Sequence, residues 1–392
     1  MPPAVKSASR GLRECSRIRL PLALLQQISL HPISEDMPLT PYADTEFPEQ
    51  DSRLNYFVRG KDVQNFGDYL TEIMAYEMLT SARMEADMFL LVGSVISANH
   101  VRHLLLDTAG QRSGSVVFWG CGVRNSTPLP AQLTRNWHFC SVRGPLTRDV
   151  LQLSADTVLG DPGLLAPLFH TPQPHPETLG KSICIPHVHD PKPHSELLAM
   201  SGCDAIISPE CPSTQAGVRE VLDKIASADF VLTGSLHGAI IACAYGRPFA
   251  FWNTGHIDAP FKWRDFAQSV SISEQFATDL ADGRRLYDGQ IAPSYRPVSM
   301  TALLDACPFA VRPSVMVRAM VHDGLLAAED EARLVAAFSE LQSEQQRSKE
   351  EWNRISQAWR RDQASIRSTI TRYAMQSLAR FRGQFAPNKI AR

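Results

Sequence analysis

The 392-residue chain contains no apolar run approaching the ~18 residues that a membrane-spanning helix needs. It also lacks any C-x-x-C pair. Its eight cysteines (Cys15, Cys121, Cys140, Cys184, Cys203, Cys211, Cys243, Cys307) are scattered, several inside apolar runs such as "CGVRN" and "IIACAYG". There cysteine acts as a small buried hydrophobe. A zinc or disulfide framework is therefore not expected, and a reducing, cytoplasmic setting is. Charge of one sign is lacking too: 39 Lys and Arg face 41 Asp and Glu. That removes the electrostatic footprint of a nucleic-acid binder. The short stretch "LPLALLQQISL" lies behind several arginines and has no small-residue cleavage site close after it, so it does not read as a signal peptide.

What is present is an alternation of buried strands and amphipathic helices. Residues 1–50, rich in Pro, Ser, Asp and Glu, read as a loosely ordered extension. From Leu54, "LNYFVRG" reads as a strand, "YLTEIMAYEMLTSA" as a helix, and "MFLLVGSVI" and "GSVVFWGCGV" as buried strands. Continuously apolar strands between helices imply parallel sheets covered on both faces. The texture breaks at Pro162, Pro167, Pro172, Pro174 and Pro176, and a second alternation follows. The expected organisation is an α/β lobe over 51–165, a Pro-rich linker over 166–180 and a second α/β lobe over 181–308. Ligand chemistry is expected in the cleft between the lobes.

Residues 309–392 read as a helical tail of growing basicity. From Ser343 onward 11 Lys and Arg face four Asp and Glu. A solvated or self-pairing helix explains this as well as attachment to an anionic membrane surface does.

Three local patterns carry chemistry. In "NFGD", Asn65 and Asp68 flank Gly67 at a strand-to-helix turn. Asp68 is placed to cap the helix, or Asn65 and Asp68 reach into the cleft to hold substrate hydroxyls. In "SVRGPLTRDVL", Arg143 stands at a strand's carboxyl end, where a guanidinium fork suits a carboxylate or phosphate as well as a structural ion pair. In "DFVLTGSLHGAII", a buried strand feeds a helix N-terminus, whose free N–H groups and dipole suit an anion. Ser235 adds a hydroxyl there, Gly238 lets a ligand approach the backbone, and His237 is an acid or base beside the bound anion. Lys262 in "FKWRDF" is a second cationic candidate. His187 and His189 in "IPHVHD" superficially resemble metal ligands. They end a strand before several prolines, which suits acceptor contacts at a cleft rim.

In order, "NFGDYL", "FWGCGV", "SVRGPLTRDVL", "LGDPGLL", "IPHVHD", "LTGSLHGAIIACAYGRPFAFW" and "FKWRDF" resemble the polysaccharide pyruvyl transferase family, over about residues 54–305. The nearest likeness is to ketal pyruvyltransferases of bacterial exopolysaccharide synthesis. The resemblance implies two Rossmann-like lobes similar to GT-B glycosyltransferases, phosphoenolpyruvate as donor, and a sugar hydroxyl pair of a polysaccharide or lipid-linked precursor as acceptor. It implies neither metal nor cofactor. It places the family's histidine on His237, a donor-binding arginine on Arg143 and a donor-binding lysine on Lys262. Ser235 and Gly238 are assigned to the donor, and Asn65, Asp68 and His187 to the acceptor. The family's serine between the two glycines of "GCG" is replaced by Cys121. A peripheral position on the inner face of the cytoplasmic membrane would follow from the basic tail. Two other readings stand beside this one: a glycosyltransferase using a nucleotide-sugar donor, and a non-catalytic scaffold of polysaccharide assembly.

Overall fold

Runs that are apolar throughout become strands buried on both faces. In the computed structural model, which describes residues 53–55, 62–101 and 114–341 and positions 343, 347, 350–352, 354–357 and 361 of a helix, these strands form two parallel sheets. The first has the order β1-β4-β5-β6, from Leu54–Asn55, Met88–Leu90, Val116–Cys121 and Trp137–Val142. Every pairing in it is parallel. The second has the order β12-β11-β10-β7-β8, from Phe276–Ala277, Phe249–Trp252, Phe230–Thr233, Ser182–Ile185 and Ala205–Ile206. It too is parallel throughout. The α/β class expected from the strand texture is the one observed. The expected extension over 1–50 lies outside the described residues.

Two antiparallel pairs carry the chain between the halves. Strand β2 (Val63–Asn65) pairs with β9 (Glu210–Pro212), with Gln64 opposite Cys211. Helix α1 (Phe66–Met78) therefore starts against second-half residues, and Phe66 N–H donates to Pro209 O at 2.9 Å. Further along the helix Glu77 pairs with Arg219. Strand β13 (Phe309–Val311) returns to pair with β3 (Leu79–Ala82), and its Phe309 ring lies 4.7 Å from that of Phe89.

That return changes the expected boundaries. The tail does not begin at 309: Phe309–Val311 is a paired strand, and the helix Pro313–His322 buries Val315, Met316, Val317, Ala319 and Met320. A separate unit starts at Ala332. It is helical over 332–341 and at the described positions up to 361, where Trp352 and Ile355 are exposed. Most of the basic tail lies outside the described residues. The segment 166–180 is likewise more than a linker. Leu168 and Phe169 are buried, His170 Nε2 lies 2.8 Å from Asp223, and Gln173 N–H donates to the same carboxylate at 2.7 Å. Its prolines break helical texture, but its apolar residues and these bonds strap it down. Among the described residues no helix is long and apolar enough to cross a membrane.

Candidate active site

In parallel sheets the loops at the strands' carboxyl ends gather functional groups. Here those loops carry Ser94 after β4, Arg124 after β5, Arg143 after β6, His187 after β7, His237 after β10 and Asp258 after β11. Strand β10 stops at Thr233, whose hydroxyl accepts from Ser235 N–H at 3.0 Å and donates to Ser235 O at 2.8 Å. Helix α5 (Leu236–Ala244) follows, with α2 (Pro145–Val150), α3 (His194–Ser201) and α4 (Gln215–Ser227) preceding it in the chain. Ser235 is the N-cap residue, and its hydroxyl makes no capping bond. Gly238 has a packing reason: a Cβ there would lie 2.5 Å from Thr233 Oγ1.

His237 therefore sits in the first turn of α5. Its ring packs on the α1 backbone, where a Cβ on Gly67 would lie 1.9 Å from Nδ1, and is edge-on to Phe66 with centroids 6.5 Å apart. Gly67 thus does not serve the turn expected of it. It lies inside α1 and makes room for the imidazole. Nε2 is buried and has no hydrogen-bond partner among the described residues. Burial, reinforced by the positive charges of Lys262 and Arg143, pushes the imidazole down to about 3, so it is neutral at physiological pH. Gly67→Ala is expected to displace the ring and to cost about 1–3 kcal/mol by overpacking, less up to about 1 kcal/mol for alanine's better helix propensity. Urea unfolding measures this, and an unchanged midpoint with an undisturbed ring would contradict the packing.

The helix cap expected of Asp68 belongs to Asn65. The Asn65 backbone is extended (φ −64°, ψ 121°), and its Oδ1 accepts from Gly67 N–H at 3.0 Å. A cap must stand outside the helix, and Asp68 is already within the first turn. Asn65 is thereby committed to the backbone, while the Asp68 carboxyl has no hydrogen-bond partner among the described residues. Burial raises Asp68 to about 6 against the opposing charges of Lys262 and Arg124. Asp68 directly follows the glycine that holds His237. Two titratable groups with displaced pKa values thus both feel the charge of Lys262.

Arg143 is more deeply engaged than an open anion receptor. Its side chain is 1% exposed and that of its partner Asp265, on α6 (Pro260–Ser269), is 0% exposed, with Nε 3.1 Å from Asp265 Oδ2. Nη1 donates to Ser94 Oγ at 2.7 Å and Nη2 to Val123 O at 3.1 Å. Asp265 also accepts from Thr147 N–H at 2.9 Å and Thr147 Oγ1 at 2.6 Å. Gly122 and Gly144 make this possible. A Cβ on the first would lie 2.2 Å from Arg143 Nη2, and on the second 2.0 Å from Asp265 O. Of the two readings open for Arg143, the structural ion pair is the one seen, and the arginine bears on His237 through its charge. Asp265 went unread because a carboxylate between Arg264 and Phe266 looks like an ordinary surface residue in sequence.

Lys262 belongs to a second ion cluster. Its Nζ donates to Asp258 Oδ2 at 2.7 Å, Arg124 Nη2 donates to Oδ1 at 2.6 Å, and His187 Nε2 lies 3.5 Å from Oδ2. Ala259, with φ 45°, takes a left-handed conformation between Asp258 and the start of α6. The His187 imidazole, with Lys262 and Arg124, holds the Asp258 carboxyl far below the usual carboxylate range. Burial lowers Lys262, with Asp258 opposing. His187 is turned toward this carboxylate, with the His256 ring 5.2 Å and the His189 ring 5.5 Å away. Among the described residues no group of three or more His, Cys, Asp or Glu is arranged to hold a metal ion.

The structure thus links His237 and Asp68 to Lys262 through charge, Lys262 and His187 through Asp258, and His237 to Arg143 through charge. It commits Asn65 and Gly238 to local structure and leaves Ser235 at the mouth of α5. Arg124, Asp258 and Asp265 were missed in sequence, where no local spacing ties them to their partners.

A family model described as "Polysaccharide pyruvyl transferase" matches residues 30–254, more than half of the chain. That span includes Asp68, Arg124, Arg143, His187 and His237, and stops short of Asp258 and Lys262. Among curated proteins, the succinoglycan biosynthesis protein ExoV of Rhizobium meliloti (strain 1021) is 30% identical over 145 residues, covering 36% of this chain and 42% of that protein. The alignment therefore spans less than half of that relative. No solved structure matches the chain. With the histidine, the acidic turn and the arginine of the ordered motifs all inside the matched span, the chain belongs to the polysaccharide pyruvyl transferase family, a family of transferases.

Proposed function

We propose that the protein transfers the pyruvyl group of phosphoenolpyruvate to a hydroxyl pair on a sugar of a bacterial exopolysaccharide or its lipid-linked precursor, forming a cyclic ketal. The frame for this reaction is GT-B-like, with one lobe built on each parallel sheet. The observation that carries the reading is His237 in the first turn of α5, its Nε2 buried and unpartnered among the described residues and within reach of the Lys262 and Arg143 charges, with Asp68, raised to about 6, within reach of the same Lys262. Groups whose environments push their pKa values apart divide acid and base work between them. Here the order is inverted from the usual one: the carboxyl holds the available proton and the imidazole is free to accept one.

The donor carries a carboxylate and a phosphate, and each asks for positive charge. Lys262, the field of Arg143 and the N-terminus of α5 supply it. At an effective dielectric of about 20, one unit charge 4 Å from another contributes about 4 kcal/mol. Protonation of the donor's methylene carbon by Asp68 places cationic character on C2. A sugar hydroxyl adds to C2 as His237 Nε2 or Nδ1 takes its proton. The C–O bond to phosphate then breaks, the phosphate leaving with the proton held on His237. The neighbouring hydroxyl closes the ring on C2 and returns its proton to Asp68.

This division predicts a pH profile. In kcat/KM, which reports the free enzyme, activity is full while Asp68 is protonated and declines about tenfold per pH unit above pH ~6. Asp68→Asn keeps the shape of the side chain and removes the acid, so the rate falls by about 10²-fold or more and the limb near pH 6 disappears from the remaining activity. A limb near pH 6 that persists in Asp68→Asn would assign it to another group. Calorimetric titration with phosphoenolpyruvate and with nucleotide sugars tests the donor itself. Binding of the former alone is expected, and binding of a nucleotide sugar alone would overturn the reading.

A further inference from the structure

Asp258 stands between two cations that come from different halves of the fold. Arg124 reaches it from the loop after β5 of the first sheet, at 2.6 Å to Oδ1, and Lys262 from α6, at 2.7 Å to Oδ2. Each carboxylate oxygen thus faces one cation, which is the pattern a bound carboxylate or a pair of phosphate oxygens would present. Arg124 is 49% exposed at its side chain, so its head can swing at little cost, whereas Lys262 is 10% exposed. The Arg124 charge bears on Asp68 and on Lys262, which places it at the same site. His187 Nε2 lies 3.5 Å from Asp258 Oδ2 and stays available to that carboxylate if the two cations turn away.

We propose that Arg124 is a further donor-binding residue, held ready by Asp258, whose carboxylate occupies in the resting protein the place that oxygens of the donor take in the complex. On binding, Arg124 and Lys262 exchange Asp258 for the donor's anionic oxygens, and Asp258 keeps His187. The exchange trades one charge-assisted pair for another. The cations are therefore never left unpaired, and an uncharged ligand is not rewarded for entering. Arg124 and Asp258 come from the two halves, so the exchange also couples donor binding to the contact between them.

The inference rests on the phosphoenolpyruvate reading, and calorimetric titration of the full-length protein with phosphoenolpyruvate separates the two. The unaltered protein is expected to bind it. Arg124→Gln is expected to bind about 10- to 100-fold more weakly, the range for a lost hydrogen bond to a charged group, and Arg124→Lys to fall between, since charge is kept and the fork lost. Asp258→Asn, which removes the competing charge and keeps the shape, is expected to bind several-fold more tightly. Unchanged affinity in Arg124→Gln, with the unaltered protein binding, would overturn the role of Arg124 alone. Weakening in Asp258→Asn as large as in Arg124→Gln would overturn the stand-in, because Asp258 would then only position the cations. If the unaltered protein does not bind phosphoenolpyruvate, the donor reading fails and takes this exchange with it. Circular dichroism melts of each variant confirm that affinity is read on folded protein.

Discussion

Replacing His237 by alanine is expected to lower turnover by about 10²–10⁴-fold, the usual contribution of a positioned acid–base group, while the protein stays folded. The Nε2 of the imidazole is buried without a hydrogen-bond partner among the described residues. Removing it abolishes an unsatisfied polar atom as well as some packing against Phe66 and Gly67. The two effects oppose each other, so the stability change should stay within about 1–2 kcal/mol, ordinary for a single substitution. Phosphate release from phosphoenolpyruvate in the presence of acceptor reads the first quantity, and urea unfolding the second. A folded His237→Ala protein that turns over near the unaltered rate would remove His237 from the chemistry.

The largest stability effect is expected at Asp265. It has no exposed side-chain surface, and it answers three donors: Arg143 Nε, Thr147 N–H and Thr147 Oγ1. Asp265→Ala leaves a buried guanidinium uncompensated, and breaking a buried pair from one side costs about 3–5 kcal/mol. Removing both charges together, as in Arg143→Met with Asp265→Leu, should cost less than either single change, because no orphan charge remains. Unfolding midpoints of the two single variants and the double variant measure this coupling. Equal stability of Asp265→Ala and the unaltered protein would show that the pair does not anchor the carboxyl end of β6. Activity should also fall in the variants that remove Arg143, since its charge helps hold His237 neutral.

The elements that could be read in sequence are those whose signals are local. The buried run "FVLT" followed by Gly234 and Ser235 before "LHGAIIACA" is strand, turn and helix within fifteen residues. The structure places β10, the N-cap and α5 there. The place of His237 at that junction was legible for the same reason. What stayed hidden depends on pairings far apart in the chain. Arg143 finds Asp265 across 122 positions and Arg124 finds Asp258 across 134, and no periodicity announces either. The return of Phe309–Val311 to pair with Leu79–Ala82 is of the same kind, and it moved the expected start of the tail. At "NFGD" the ambiguity was geometric. Asn65 and Asp68 are both good caps, and only the point at which the backbone turns helical decides between them. Gly67 is a further case: its need for space is set by a ring 170 positions away, which shows only when both helices are in place.

Transfer of the pyruvyl group is tested most directly by the fate of both substrates in one reaction. Purified protein, phosphoenolpyruvate, nucleotide sugars and a panel of mannose-, galactose- and glucose-terminated acceptors would be incubated together. Released phosphate would be assayed, and the acceptor examined by mass spectrometry for a bound pyruvate ketal. Phosphate released only with a suitable acceptor, in step with ketal formed on that acceptor, is the predicted result. Sugar added to the acceptor from a nucleotide-sugar donor, with phosphoenolpyruvate left intact, would contradict it.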